Sequence, residues 1–329
     1  MKLNRVVTAV DDNYLLPLLV MAFSAKKNSI DDFEIIVGYD KNRLSASNRE
    51  IISKCFEIFE IPHQLESFSL SADFVDNRHI SATTFLRLLM FDSIYGNVLW
   101  LDVDLICLPE WDEIFTEYAA EMERNIICAA KNNLDYPEEI LATTNNMALQ
   151  VMGENYFNTG VALVNCDLWR REKIDKNWPY LHSNYEEFGF QFSDQCIINF
   201  ACVDYYKILS SKYNSLAATQ KRNPIEGRRI LHFAGWFKPW QLTKYGSRVF
   251  FSGLIRSDVL QYLRLQSEVM ELLKFHSPEI VLKLDQISVS FAKEKTFYSF
   301  SKVVLLNKMI ERKWGILLLR FLVRLKNSK

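Results

Sequence analysis

Glycine and proline are scarce, at 10 and 8 residues in a chain of 329. With so few chain-breakers and 49% hydrophobic residues, the composition is that of a globular protein and excludes a disordered one. The six cysteines (Cys55, Cys107, Cys128, Cys166, Cys196, Cys202) include no CxxC pair. Several sit inside apolar runs and read as reduced core thiols of a cytosolic protein; a disulfide framework suits a much shorter secreted chain. No uninterrupted run of about 18 apolar residues occurs, which excludes an ordinary membrane-spanning helix. The opening "MKLNRVVTAVDDNY" has too short an apolar stretch for a signal peptide, and acids follow at once. There is no internal repeat and no low-complexity linker.

Net charge is nearly absent too, at −1, but the balance is uneven. Residues 302–329 hold eight basic residues and one acid, Glu311, and so carry +7; residues 1–301 carry −8. The acidic body argues against nucleic-acid binding. The tail is different. In "MIERKWGILLLRFLVRLKNSK", Lys313, Arg320 and Arg324 share a helical face, apolar residues crowd elsewhere, and Trp314 stands at the edge. Such a basic amphipathic helix suits an anionic membrane surface, and implies a peripheral protein on the inner face of the cytoplasmic membrane. The other reading is a terminal helix packed on the acidic body or on a second copy.

What is present in the first half is an alternation of strands and helices. "RVVTAV" (5–10), "FEIIVGYD" (33–40), "HQLESF" (63–68) and "VLWLDVD" (98–104) have strand character. Between them, "LLPLLVMAFSAKK", "SASNREIISKCFEIFE" (capped by Ser45 or Ser47) and "SATTFLRLLMFDSIY" (81–95) have helical spacing. The pattern predicts an α/β fold with a mostly parallel central sheet and helices on both faces. Further strands are expected at 125–130, 161–165 and 229–233, and helices at 194–203 and 256–275. The simplest division is a catalytic domain over 1–250, a helical extension over 251–301 and the basic tail over 302–329.

In open α/β sheets, ligands bind off the carboxyl ends of the strands. There, "VLWLDVDLIC" drives Asp102 and Asp104 into an apolar run. Alternation along a strand puts both carboxylates on one side, where they repel unless a divalent cation joins them; carboxylate oxygens suit Mn²⁺ or Mg²⁺. Otherwise the pair simply begins a polar loop. "AVDDNY" (9–14) places Asp11 and Asp12 at another strand end, where they are either functional or solvated turn acids. "ILHFAGWFKPW" (230–240) offers His232 as a third ligand or a structural imidazole, Gly235 for close backbone approach to a ligand, and Lys238 as a charge for phosphate.

Taken in order, "AVDDNY", "HISATTFLRLLMFD", "VLWLDVDLI", "YFNTGVALVNCDLWR", "FSDQCIINF" and "LHFAGWFKPW" resemble family 8 glycosyltransferases, over residues 5 to 241. That group includes bacterial lipopolysaccharide galactosyl- and glucosyltransferases and glycogenin. The resemblance implies a single Rossmann-like nucleotide-sugar domain of GT-A type, and hexose transfer from a UDP-sugar with retention to a saccharide or glycolipid acceptor. Residue by residue it implies Ala9, Asp11 and Asn13 against uracil and ribose, with Asp102, Asp104 and His232 on the metal. Gly235 and Lys238 would take the diphosphate, and Arg87, Asp102, Asn158, Asp194 and Gln195 the transferred hexose. Read by themselves, Arg87 fits a surface ion pair, Asn158 a turn, and Asp194 a helix cap. Front-face attack by the acceptor hydroxyl is the preferred route; double displacement through Asp194 or Gln195 is the runner-up. A metal-dependent phosphatase would use the acid pair, but "DVDLI" lacks the following Thr of DxDxT enzymes, and a catalytically idle glycan-binding relative is the remaining alternative. Asn132 and Asn133, in the variable segment 131–157, stand where some bacterial members have an acid, so no acceptor is assigned.

Overall fold

The structure, a computed structural model, describes residues 3–74, 81–132, 145–217, 226–235, 238–241 and 257–291. The chain divides into two compact units, Met1–Ala234 and Gly235–Lys329. The boundaries expected at 250 and 301, and the tail over 302–329, lie outside the described residues.

The first unit carries ten described strands: β1 (Asn4–Ala9), β2 (Phe33–Asp40), β3 (His63–Phe68), β4 (Asn97–Leu101), β5 (Leu105–Cys107), β6 (Ile127–Lys131), β7 (Phe157–Asn165), β8 (Tyr206–Leu209), β9 (Ser215–Leu216) and β10 (Ile230–His232). Its described helices are α1 (Leu15–Asn28), α2 (Ala46–Ile58), α3 (Leu86–Ser93), α4 (Ile114–Glu117), α5 (Met147–Met152), α6 (Cys166–Arg171), α7 (Ile174–Ser183) and α8 (Ser193–Ala201). The second unit contains α9 (Ser257–His276) and α10 (Pro278–Phe291).

Seven strands form one sheet in the order β3-β2-β1-β4-β7-β6-β8, and β5-β10-β9 form a second. The large sheet is mostly parallel, as the alternation predicts. β7 is the exception: it runs antiparallel to both β4 and β6. Periodicity carries no strand direction, so the reversal is invisible in the sequence. Its effect is direct. The first residues of β7 lie beside the carboxyl end of β4, with Leu101 opposite Val161 and the Asp102 N–H donating to the Gly160 carbonyl at 2.8 Å.

β-branched and aromatic residues in β1, β2 and β4 fit a sheet covered on both faces, and Val6, Val7, Val37, Leu99 and Trp100 are buried. α3 packs its apolar side on this sheet; Phe91 meets Trp100 and Trp169 edge-on at 5.8 and 5.4 Å between ring centres. The helix expected over 81–95 opens instead as a 3-10 turn, Ala82–Phe85, and becomes α-helical only at Leu86. The hydroxyls of Ser81 and Thr83 are held by Asp11, which tightens the entry. Ser45 caps α2 as expected, accepting from the Asn48 N–H at 3.3 Å. All six cysteines are buried free thiols. Among the described residues no helix is long and apolar enough to cross a membrane.

Candidate active site

Asp102 and Asp104 do not lie on a continuous strand. β4 stops at Leu101, and residues 102–104 bend the chain from the large sheet into β5 of the small one. The expected cause of their convergence, alternation along a strand, is therefore replaced by this turn between sheets. His232, the last residue of β10, arrives from the neighbouring strand, paired with Leu105. One ligand atom from each of Asp102, Asp104 and His232 lies within 4.8 Å of the others. The His232 Nε2 atom is 3.1 Å from Asp104 Oδ1 and 4.0 Å from Asp102 Oδ2.

The hydrogen-bond roles around His232 test whether this trio fits a cation. The Gly160 N–H donates to Asn158 Oδ1 at 3.0 Å, which fixes the Asn158 amide. That oxygen also receives the Asn214 amide group at 2.9 Å, so Asn214 Nδ2 is the donor. Asn214 Oδ1 is then left facing His232 Nδ1 at 2.9 Å, and Nδ1 must carry the proton. In the neutral imidazole, Nε2 points a lone pair at a carboxylate oxygen. Two acceptors at 3.1 Å repel unless a proton on Nε2 or a bound cation lies between them. The donor set, two carboxylates and one imidazole, suits a hard to borderline divalent ion.

Arg87 organises the other side. It is buried, not on the surface, and its guanidinium reaches three partners: Asp102 Oδ1 at 2.8 Å, Asp194 Oδ2 at 2.8 Å and the Thr159 carbonyl at 2.8 Å. The expected surface ion pair is thus corrected to a buried triad. Asp102 Oδ1 also accepts from Trp100 Nε1 at 2.7 Å, and this leaves Oδ2 turned toward His232.

Asp194 sits in the first turn of α8 but does not cap it; the residue at the cap position, Phe192, makes no side-chain capping bond. Ser193 has φ +48°, in the left-handed region, and its N–H donates to the Tyr185 hydroxyl at 2.6 Å. This strained entry aims Asp194 inward at Arg87. Burial pushes the Asp194 carboxyl up to about 6, against the lowering pull of Arg87, and Asp102 adds to the rise.

Asn158 is a strand residue in β7, not a turn residue. Its Nδ2 donates to Gln195 Oε1 at 3.1 Å, and the Thr159 N–H donates to the same oxygen at 3.3 Å. Ala9, Asp11 and Asn13 lie at and just beyond the carboxyl end of β1, next to β4 in the sheet. Asp11 is buried and accepts from Ser81 Oγ at 2.8 Å and Thr83 Oγ1 at 3.0 Å. Asn13 is exposed. Asp12 is not a solvated turn acid: its Oδ1 accepts from the Ser45 N–H at 2.9 Å and Asn48 Nδ2 at 2.7 Å, tying the loop to the start of α2.

Gly235 and Lys238 belong to the second unit. Gly235 has φ +90°, and no described residue lies within 4 Å of where a Cβ would stand. Its backbone conformation by itself favours glycine there. Lys238 is buried, with its Nζ 5.9 Å from the Trp240 ring centre.

Sequence reasoning missed three residues of this site. Tyr14, quoted in "AVDDNY" but given no role, has its phenol pushed up by burial and by the carboxylates of Asp104, Asp11 and Asp102, so it stays protonated as a donor. Gly160 leaves no space for a side chain: a Cβ there would fall 2.2 Å from His232 Cε1 and 2.8 Å from Asp102 Oδ2. The "FNTG" motif contained that signal. Asn214, in "KYNS", had no signal in the sequence at all.

With this geometry in place, comparison with known proteins is informative. A sequence model of the family described as Glycosyl transferase family 8 matches residues 5–244. The chain is 23% identical over 266 residues to a lipopolysaccharide 1,2-glucosyltransferase of Escherichia coli, covering 74% of this chain and 76% of that one. It is 22% identical over 262 residues to a lipopolysaccharide 1,3-galactosyltransferase of Salmonella typhimurium strain LT2, covering 66% and 75%. Its fold is similar to the crystal structure of the galactosyltransferase LgtC in complex with donor and acceptor sugar analogs, with a TM-score of 0.61 and 22% identity over 80% of this chain and 95% of that one. The mostly parallel sheet, the acids at its carboxyl ends and the family match over most of the sequence lead to one statement: this chain belongs to glycosyl transferase family 8.

Proposed function

We propose that the protein is a retaining, metal-dependent hexosyltransferase. It moves glucose or galactose from a UDP-sugar to a hydroxyl of a saccharide or lipid-linked acceptor, such as lipopolysaccharide core or another surface polysaccharide. The observation that carries this reading is the convergence of Asp102, Asp104 and His232, one ligand atom of each within 4.8 Å of the others, with His232 Nδ1 engaged by Asn214 so that Nε2 is the nitrogen turned to the acids. The names of the two relatives support a glucosyl or galactosyl group and a lipopolysaccharide-type acceptor. Membership of a glycosyltransferase family leaves the phosphatase alternative without support.

In the proposed reaction, the bond between the anomeric carbon and the diphosphate oxygen breaks, and a bond from that carbon to the acceptor oxygen forms. The acceptor proton passes to the departing diphosphate. Asp102, Asp104 and His232 would hold Mn²⁺ or Mg²⁺, which would supply positive charge where the leaving group becomes more negative. Lys238 and Gly235 are assigned to the diphosphate, and Ala9, Asp11 and Asn13 to uracil and ribose. Arg87 holds Asp194 and Asp102 in fixed positions for the hexose. The front-face route is favoured over double displacement on two counts. Gln195 Oε1, the only nucleophilic atom of that amide, already accepts two hydrogen bonds. Asp194 is buried against Arg87, which neutralises it as an attacking group.

The deciding experiment measures UDP release from UDP-glucose and UDP-galactose with Mn²⁺ and with a chelator. Metal-dependent release of UDP is expected; failure to turn over any nucleotide sugar in a wider panel would instead favour an idle glycan-binding relative. The basic segment 302–329 supports a peripheral position on the anionic inner face of the cytoplasmic membrane.

A further inference from the structure

The candidate metal trio depends on which nitrogen of His232 is bare, and that choice is made elsewhere. Asn214 lies between a 3-10 turn at Ser211–Tyr213 and β9, and β9 pairs in parallel with β10. It is buried at 1% exposure, and both polar ends of its side chain are engaged. One end accepts from His232 Nδ1 at 2.9 Å and the other donates to Asn158 Oδ1 at 2.9 Å. Asn158 Oδ1 is in turn pinned by the Gly160 backbone N–H, and Asn158 Nδ2 reaches Gln195 Oε1. Gln195 is likewise fixed, by the Thr159 N–H at its oxygen and the Tyr156 hydroxyl 3.3 Å from its Nε2.

The Asn158 and Gln195 amides have their orientation dictated by backbone N–H groups, which cannot reverse their role, and Asn158 Oδ1 in turn dictates that of Asn214. The direction therefore propagates from the β7 backbone through Asn158 and Asn214 to the imidazole. We propose that Asn214 is a positioning residue for the metal site: it holds His232 in the Nδ1–H tautomer, with Nε2 turned bare toward Asp102 and Asp104. Through Asn158 the same row ties that orientation to the Gln195 amide. An imidazole whose second nitrogen donates to a fixed acceptor is both oriented and a better ligand. An apolar residue at 214 would remove the acceptor, strand the Asn158 oxygen without one of its donors, and free the ring to rotate or change tautomer.

This inference rests on the metal reading for its binding arm only, and the experiment separates the two. The full-length protein, labelled with ¹⁵N-histidine and kept metal-free, is compared as wild type, Asn214→Leu and Asn214→Asp, with His232→Gln used to assign the ring signals. Mn²⁺ affinity of each is measured by the electron paramagnetic resonance of free ion. The wild type is expected to show a protonated Nδ1 and, at a pH where the ring is neutral, a bare Nε2. Asn214→Leu should lose that pattern and bind Mn²⁺ about 10- to 100-fold more weakly. Asn214→Asp keeps an acceptor for Nδ1 but sets a second acceptor against Asn158 Oδ1, so it should retain the Nδ1 proton and bind Mn²⁺ more tightly than the leucine variant. An unchanged ring pattern and unchanged Mn²⁺ affinity in a folded Asn214→Leu protein would overturn the assignment. If the leucine variant does not fold, loss of the tautomer in Asn214→Asp overturns it equally. If the wild type binds no Mn²⁺, the metal reading has failed, while the ring signals still decide the role of Asn214.

Discussion

Gly160 and His232 are packed so closely that a Cβ on the glycine would fall 2.2 Å from the imidazole Cε1. No side chain can occupy that point unless the ring or the β7 backbone moves. Gly160→Ala is therefore expected to displace His232 from the two acids. We expect UDP-sugar turnover to fall by about a hundredfold or more, with a destabilisation of about 1–3 kcal/mol from overpacking. Wild-type turnover with an unshifted urea midpoint would show that the ring can give way freely.

Arg87 links Asp102 to Asp194 in a buried cluster. Replacing it with methionine leaves two carboxylates close together without their counter-charge. Breaking such a pair from one side costs about 3–5 kcal/mol. Arg87→Met should lower the urea midpoint accordingly. Arg87→Lys should recover only part, since one ammonium cannot reach Asp102, Asp194 and the Thr159 carbonyl together. An Arg87→Met protein as stable as wild type would remove Arg87 as the organiser of the cluster.

Asp104 faces His232 Nε2 at 3.1 Å. Asp104→Asn keeps the shape and removes the charge. Turnover is expected to drop by about a hundredfold or more, with the same loss on adding a chelator to the wild type. Turnover that survives both treatments would dismiss a cation from the reaction.

Asp92 gives a pH test away from the active site. Its Oδ1 accepts from Trp169 Nε1 at 2.7 Å, and Trp178 Nε1 lies 3.1 Å from Oδ2. Burial raises its carboxyl to about 6, against lowering hydrogen bonds from both indoles. The folded chain thus keeps a proton that the unfolded chain has lost between about pH 4 and 6, so stability falls as pH rises through that window. Asp92→Asn keeps an acceptor for the indoles and does not titrate. The melting temperature of the variant should gain on wild type by a few °C between pH 4.5 and 7.5. A gap that does not change with pH would mean the carboxyl is already ionised at the lower end.

Deleting residues 303–329 tests the proposed membrane association. The truncated protein should no longer sediment with vesicles containing anionic phospholipid, while its UDP-sugar hydrolysis persists. Unchanged sedimentation would show that the tail is not the anchor.

The legible and the hidden parts of this protein differ in how far apart their partners lie. The acids after β4 announce themselves because charge interrupts an apolar run within a few residues, and "ILH" is a short strand with a histidine at its end. The strands and helices of the first half follow from periodicity in the same local way. The contact between Asp104 and His232 spans 128 residues; "ILHFAGWFKPW" by itself left His232 as a third ligand or a structural imidazole, and the ordered resemblance to a known family chose between them. Asn214 was out of reach. Its importance lies in two hydrogen bonds to residues 18 and 56 positions away, and an asparagine after "KY" looks like any loop residue. By its spacing alone Arg87 fits a surface ion pair, because a cation on a helix is most often solvated; the two acids that draw it inward come from separate strand and helix ends, and only the family resemblance placed it in the site.

The reversed strand has a consequence for motion. β7 lies inside the large sheet with β4 on one side and β6 on the other, but its register with β6 shifts between Ala129 and Lys131, so Asn158, Thr159 and Gly160 stand in an irregular stretch between the paired residues Phe157 and Val161. There the Thr159 and Gly160 N–H groups turn to side chains instead of to a neighbouring strand, the first to Gln195 Oε1 and the second to Asn158 Oδ1. This stretch should therefore yield before the strand around it, its amides exchanging with deuterated water faster than those of Val161–Val164, and side-chain rotation at Gln195 is enough to release the Thr159 amide.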